Sequence, residues 1–139
     1  MKDIILATHG NLAFEFKKTA ELIVGHIDNI QCFGMTKDKS AVEGQKELEN
    51  LIKNTDEDNL IILTDLYGGS SNNICTELLL KGHHFQLLSG LNLPLLLTFL
   101  TIDSANMTSK ELVKQLREAG VAGIIDVSEK IERGVASDD

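Results

Sequence analysis

The sequence predicts a doubly wound α/β fold, with a mainly parallel sheet in the order 2-1-3-4, helices on both faces and a short fifth strand near the C-terminus. Three observations predict it. Apolar runs of strand length alternate with stretches of helical period. One run, Leu60–Thr64, is apolar without alternation, as in a central parallel strand covered on both sides. Gly, Asn and Pro punctuate the boundaries between runs.

In chain order, residues 3–8 read as the first strand, and Leu12, Phe14, Phe16, Ala20, Ile23 and Val24 as one face of a helix closed by Gly25. Residues 27–35 read as the second strand. Residues 41–54 follow as a helix with Val42, Leu48, Leu51 and Ile52 turned inward. The third strand, Leu60–Thr64, runs into Asp65. Tyr67-Gly68-Gly69 breaks the pattern, and Ser70 or Ser71 is the expected N-cap of a helix through Lys81, stopped by Gly82. Residues 84–89 are the fourth strand. Asn92-Leu93-Pro94 opens another helix, because proline fits only a first turn, and residues 108–119 form a further one ended by Gly120. Residues 121–127 complete the set as the fifth strand. Residues 1–130 are expected to form one domain and 131–139 a polar tail.

Composition narrows the function classes. A hydrophobic share of 42% and a charged share of 24% over 139 residues describe an ordinary folded domain rather than a disordered chain. The net charge of −8, with 13 scattered Lys and Arg, argues against nucleic acid as a partner. Cys32 and Cys75 sit in apolar runs without metal-ligand or redox spacing, which predicts buried reduced thiols. The N-terminal apolar run is too short for a signal peptide or a membrane span, so the expected location is the cytoplasm.

In a sheet of this order, ligands bind beyond the carboxyl ends of the strands where the order reverses, here between strands one and three. The residues leaving those ends are Thr8-His9-Gly10 and Asp65 through Ser70. A His at a strand mouth, between Thr8 and Gly10, is poorly explained as a core residue. Asp65 can accept a hydrogen bond from one ring nitrogen, fix the tautomer and leave the other nitrogen as a nucleophile. Gly68-Gly69-Ser70 allows close backbone approach and brings helix N–H groups to the same spot, where they suit an anion such as a phosphoryl group. His26, His83 and His84 lie near the opposite rim and read as surface or packing residues. No spacing supports a metal site, and no cofactor is called for.

Three motifs in order, Ile4-Ile5-Leu6-Ala7-Thr8-His9-Gly10, Thr64-Asp65-Leu66-Tyr67-Gly68-Gly69-Ser70 and Ser89-Gly90-Leu91-Asn92-Leu93-Pro94, resemble the mannose-type IIA domain of the bacterial phosphoenolpyruvate-dependent sugar phosphotransferase system. The resemblance covers the chain to about residue 130. It implies that His9 is phosphorylated by phospho-HPr and donates to a histidine of a IIB protein or domain. Membrane IIC and IID components would be involved only indirectly. The resemblance also implies that Asp65 orients His9, that Ser70 hydrogen-bonds near the phosphoryl group, and that Ser89 and Asn92 line the cleft with Thr8, Gly10, Gly68 and Gly69. It implies a homodimer in which the fifth strand pairs with the partner's sheet. Where the family commonly has proline, Ser71 stands here, which implies a looser start to the helix.

Two other readings stay open on sequence alone. One is the phosphoryl-donor subunit of a dihydroxyacetone kinase; the other is a non-enzymatic mononucleotide-binding module. A receiver-type domain lacks its acidic pair and lysine here, and a Ser-His-Asp hydrolase lacks its Gly-x-Ser-x-Gly turn.

Overall fold

The computed structural model describes residues 1–134. Four strands, β1 (Asp3–His9), β2 (Ile30–Met35), β3 (Leu60–Thr64) and β4 (Gln86–Ser89), form an all-parallel sheet in the order β2-β1-β3-β4. Six α-helices connect and follow them: α1 (Leu12–Val24), α2 (Ala41–Lys53), α3 (Ser70–Leu80), α4 (Leu93–Thr101), α5 (Ser109–Ala122) and α6 (Val127–Glu132). The sheet order and the two-sided cover are as the sequence predicts.

Each central strand feeds two cores because successive side chains point to opposite faces. Ile4, Leu6, Ile61 and Leu63 pack against α1, α4 and α5, whereas Ile5, Ala7, Phe33 and Ile62 pack against α2 and α3. Every residue from Ile4 to Ala7 and from Leu60 to Leu63 has no exposed surface. Burial of this completeness explains why β1 and β3 read as unbroken apolar runs.

Several boundaries and faces differ from the sequence expectation. Ile27 is buried but precedes a bend, so β2 starts only at Ile30, and β4 starts at Gln86 rather than at residue 84. On α1 the buried residues are Ala13 and Ala20, while Leu12, Phe14, Ile23 and Val24 are exposed. The register of α1 is set by Thr8, whose Oγ1 accepts from the Ala13 N–H at 2.8 Å, so the two alanines lie against the sheet. Val42 likewise faces solvent.

Residues 121–127 do not form a fifth strand in the single chain. Gly120 does not stop α5; it lets the helix pass close to α4, where an added Cβ would lie 3.2 Å from Leu95, and its carbonyl accepts from Asn92 Nδ2 at 2.9 Å. The helix ends instead at Gly123, packed on Pro94, and α6 begins at Val127. Of the expected polar tail, residues 131 and 132 belong to α6, and 135–139 lie outside the described residues. Among the described residues no helix is long and apolar enough to cross a membrane.

Candidate active site

The parallel pairing of β1 with β3 ends at Ala7 opposite Thr64, so Thr8-His9 and Asp65 leave the sheet side by side. The His9 backbone N–H donates to Asp65 Oδ2 at 3.0 Å, and His9 Nδ1 lies 3.0 Å from the same oxygen. An ionised carboxylate only accepts, so Nδ1 carries the proton and Nε2 keeps its lone pair. Burial works to raise the Asp65 carboxyl, but the backbone N–H, the ring and the charge of His9 together hold it below the ordinary aspartate value. The two side chains are 47% and 14% exposed, so the imidazole can be reached while its anchor is shielded.

The segment between β3 and α3 presses against that imidazole. Gly68 takes a φ of 82°, a left-handed turn that favours glycine, and its carbonyl accepts from Asn73 Nδ2 at 3.1 Å. A Cβ on Gly69 would stand 2.6 Å from His9 Cε1 and 3.2 Å from Nε2. Only glycine leaves Nε2 open at this distance. Gly69 is also the N-cap of α3, in place of the expected Ser70 or Ser71, and brings no side chain to the cap. The first-turn N–H groups of α3 therefore remain available to an anion on the imidazole. Ser70 is the first residue of α3, immediately after the glycine in contact with His9, and its hydroxyl bonds to neither His9 nor Asp65.

The other residues singled out from sequence are placed differently. Thr8 is fully buried and serves α1 through its hydroxyl, and Gly10 makes the turn after β1 with its N–H on Met35. Asn92 caps α4: its Oδ1 accepts from the Leu95 N–H at 3.0 Å and its Nδ2 donates to Gly120. That amide braces α4 against α5. Ser89 ends β4 beside Thr64, and its buried Oγ has no partner among the described residues; the same is true of Asp65 Oδ1. His26 pairs with Asp28 on the surface, and His83 and His84 pair with Glu57 and Asp58. Burial pushes the Cys75 thiol up to about 12 and raises that of the half-buried Cys32, so neither is an activated thiol. Among the described residues no group of His, Cys, Asp and Glu has a metal-binding arrangement.

Sequence reasoning missed the part played by Ser71. It is fully buried, and its Oγ donates to the Thr8 carbonyl at 3.0 Å, so the start of α3 is fastened to β1 rather than loosened. The signal was present as a second serine after Gly69, but two hydroxyls beside a helix start both read as caps.

The profile of the family described as "PTS system fructose IIA component" matches residues 3–117. A sorbose-specific EIIA component of Lacticaseibacillus casei is 28% identical over 137 residues, which span 99% of both chains. The mannose-specific EIIAB component of Escherichia coli is 27% identical over 87% of this chain, but the match covers 38% of that longer protein. Among solved structures, the phosphotransferase component EIIA from Streptococcus agalactiae superposes with a TM-score of 0.83 at 26% identity, covering 93% of this chain and 99% of that one. With a parallel sheet of the expected order, a carboxylate-held histidine at its switch point and a family match over most of its length, this chain belongs to the IIA components of the sugar phosphotransferase system.

Proposed function

We propose that the chain is a cytoplasmic phosphoryl carrier in sugar uptake, taking a phosphoryl group from phospho-HPr on His9 and passing it to a histidine of a IIB protein or domain. The observation that carries this reading is the pair of His9 contacts to one Asp65 oxygen, which fix Nδ1 as donor and leave Nε2 as nucleophile. In the transfer, the Nε2 lone pair attacks phosphorus in line as the donor's P–N bond breaks and its electron pair returns to the donor imidazole. Nδ1 keeps its proton throughout, and the Asp65 charge balances the positive charge that develops on the ring. The α3 N–H groups and the Ser70 hydroxyl meet the phosphoryl oxygens. Positioning and charge suffice for this chemistry, so no cofactor is required.

Incubation with phosphoenolpyruvate, enzyme I and HPr is expected to add one phosphoryl group, seen by intact mass. The label should be lost in acid and stable in base, as a phosphoramidate is. A label lost in base as well as in acid would identify an acyl phosphate on Asp65 and overturn the reading.

We further propose that the chain works as a homodimer closed by its C-terminal segment. Val121, Ile124, Ile125, Val127 and Ile131 are all exposed, and β4 is an edge strand whose outer side is unpaired among the described residues. Residues 121–127, helical and coil in the single chain, would pair there with a second copy. Light scattering at micromolar concentration should report a dimer that truncation after Gly120 dissociates. A monomeric full-length chain would rule this assembly out.

A further inference from the structure

We propose that Ser71 is a positioning residue for His9, one jaw of a clamp that holds the peptide unit between Thr8 and His9 from both ends. This rests on the reading of His9 as phosphoryl acceptor. The carbonyl of that peptide unit, from Thr8, accepts the Ser71 Oγ–H at 3.0 Å. Its N–H, from His9, donates to Asp65 Oδ2 at 3.0 Å. The ladder between β1 and β3 has already ended at Ala7 while that between β1 and β2 runs on to His9, so two side chains add to the hold that β2 alone keeps on this peptide unit. Both come from the short segment that follows β3.

The clamp has a consequence for the reacting nitrogen. Gly69, whose Cα stands against the imidazole, lies between the two jaws in sequence and two residues before Ser71. The Ser71 bond therefore fixes how far the start of α3 stands from His9 Nε2 and where its free N–H groups point. Helix capping does not account for this hydroxyl: the N-cap of α3 is Gly69, and the Ser71 bond leaves the helix for β1. Nor can Ser71 touch a docking partner, because none of its surface is exposed.

Two readouts test the clamp on the intact chain. The first needs no partner: the tautomer ratio of His9, read from ring 15N shifts at about pH 8.5, where an imidazole is neutral. Wild-type protein should be mainly Nδ1–H, and Ser71→Ala should move measurably toward a mixture as the imidazole loses its fixed place over Asp65. The second is the rate of uptake from phospho-HPr. Ser71→Ala should lower kcat about tenfold, the scale of a small misplacement of reacting atoms, with KM for the donor unchanged. Ser71→Cys keeps the shape with a weaker donor and should fall between, and it supplies both readouts should Ser71→Ala fail to fold. A folded variant with the wild-type tautomer ratio and wild-type kcat overturns the clamp, as does a loss confined to KM. If wild-type protein takes up no phosphoryl group, the carrier reading fails, whereas the clamp is still decided by the tautomer ratio.

Discussion

A His9→Ala protein is expected to take up no phosphoryl group from phosphoenolpyruvate, enzyme I and HPr, against one for wild type. No other histidine is placed to stand in. His83 and His84 lie before β4, at the opposite rim of a parallel sheet from the end of β1, and are engaged by Glu57 and Asp58. His26 follows α1 on that same far rim and pairs with Asp28. Ser70 stands near the vacated spot but would have no base to take its proton once the imidazole is gone. The fold should survive, since the half-exposed ring contributes one side-chain bond while the residue 9 backbone N–H keeps its partner in Asp65. Intact mass and circular dichroism check both points. A label retained by the folded variant would move the phosphorylated residue elsewhere.

The parts of the fold legible in the sequence are those where burial is complete. β1 and β3 are covered on both faces, so their apolar runs carry no helical or alternating pattern that could mislead. The start of α4 is legible from the proline in its first turn; Asn92 and Thr108 cap their helices by accepting from the N–H three residues on, whereas Gly69 brings no side chain to its cap. The large apolar residues of α1 suggest an inward face that only Ala20 among the fully buried residues shares. The helix instead lies close to the sheet on Ala13 and Ala20 and leaves Leu12, Phe14, Ile23 and Val24 outside. Gly120 read as a stop because a glycine needed for helix contact and one needed for helix termination look alike in sequence.

At the site, His9 and Asp65 were legible because topology brings the ends of neighbouring strands together whatever the side chains. The fine division of labour was not. That one Asp65 oxygen takes both His9 donors, that Asn92 braces helices, and that Ser71 rather than a cap joins α3 to β1 depend on side-chain directions that spacing does not encode.

Asp65→Asn is expected to slow uptake from phospho-HPr by roughly 10²–10³, and the geometry identifies charge rather than tautomer as the main cause. Because a single oxygen accepts from both the His9 N–H and Nδ1, an asparagine can present its carbonyl to the two donors and keep the reactive tautomer. Its NH₂ then occupies the place of Oδ1, which is buried and has no partner among the described residues. The flipped amide would set its NH₂ against the His9 N–H, donor to donor. The tautomer is thus better protected than in a Ser-His-Asp triad, where the same replacement costs about 10⁴. The charge is lost in either orientation. At 3.0 Å a carboxylate and an imidazolium attract by about 5–6 kcal/mol at an effective dielectric constant of about 20. Losing about half of that as positive charge builds on the ring gives about 2.5–3 kcal/mol, close to the lower end of the stated range at about 1.4 kcal/mol per tenfold. Stability gives an independent check. Asp65 is held below its ordinary value in the folded chain, so its charge stabilises the fold above about pH 4 and that contribution fades as pH falls further. Asp65→Asn should therefore lose less stability than wild type between about pH 5 and pH 3. Stopped-flow transfer with denaturant melts at both pH values measures the two effects together: a folded variant phosphorylated at the wild-type rate would reduce Asp65 to a turn residue.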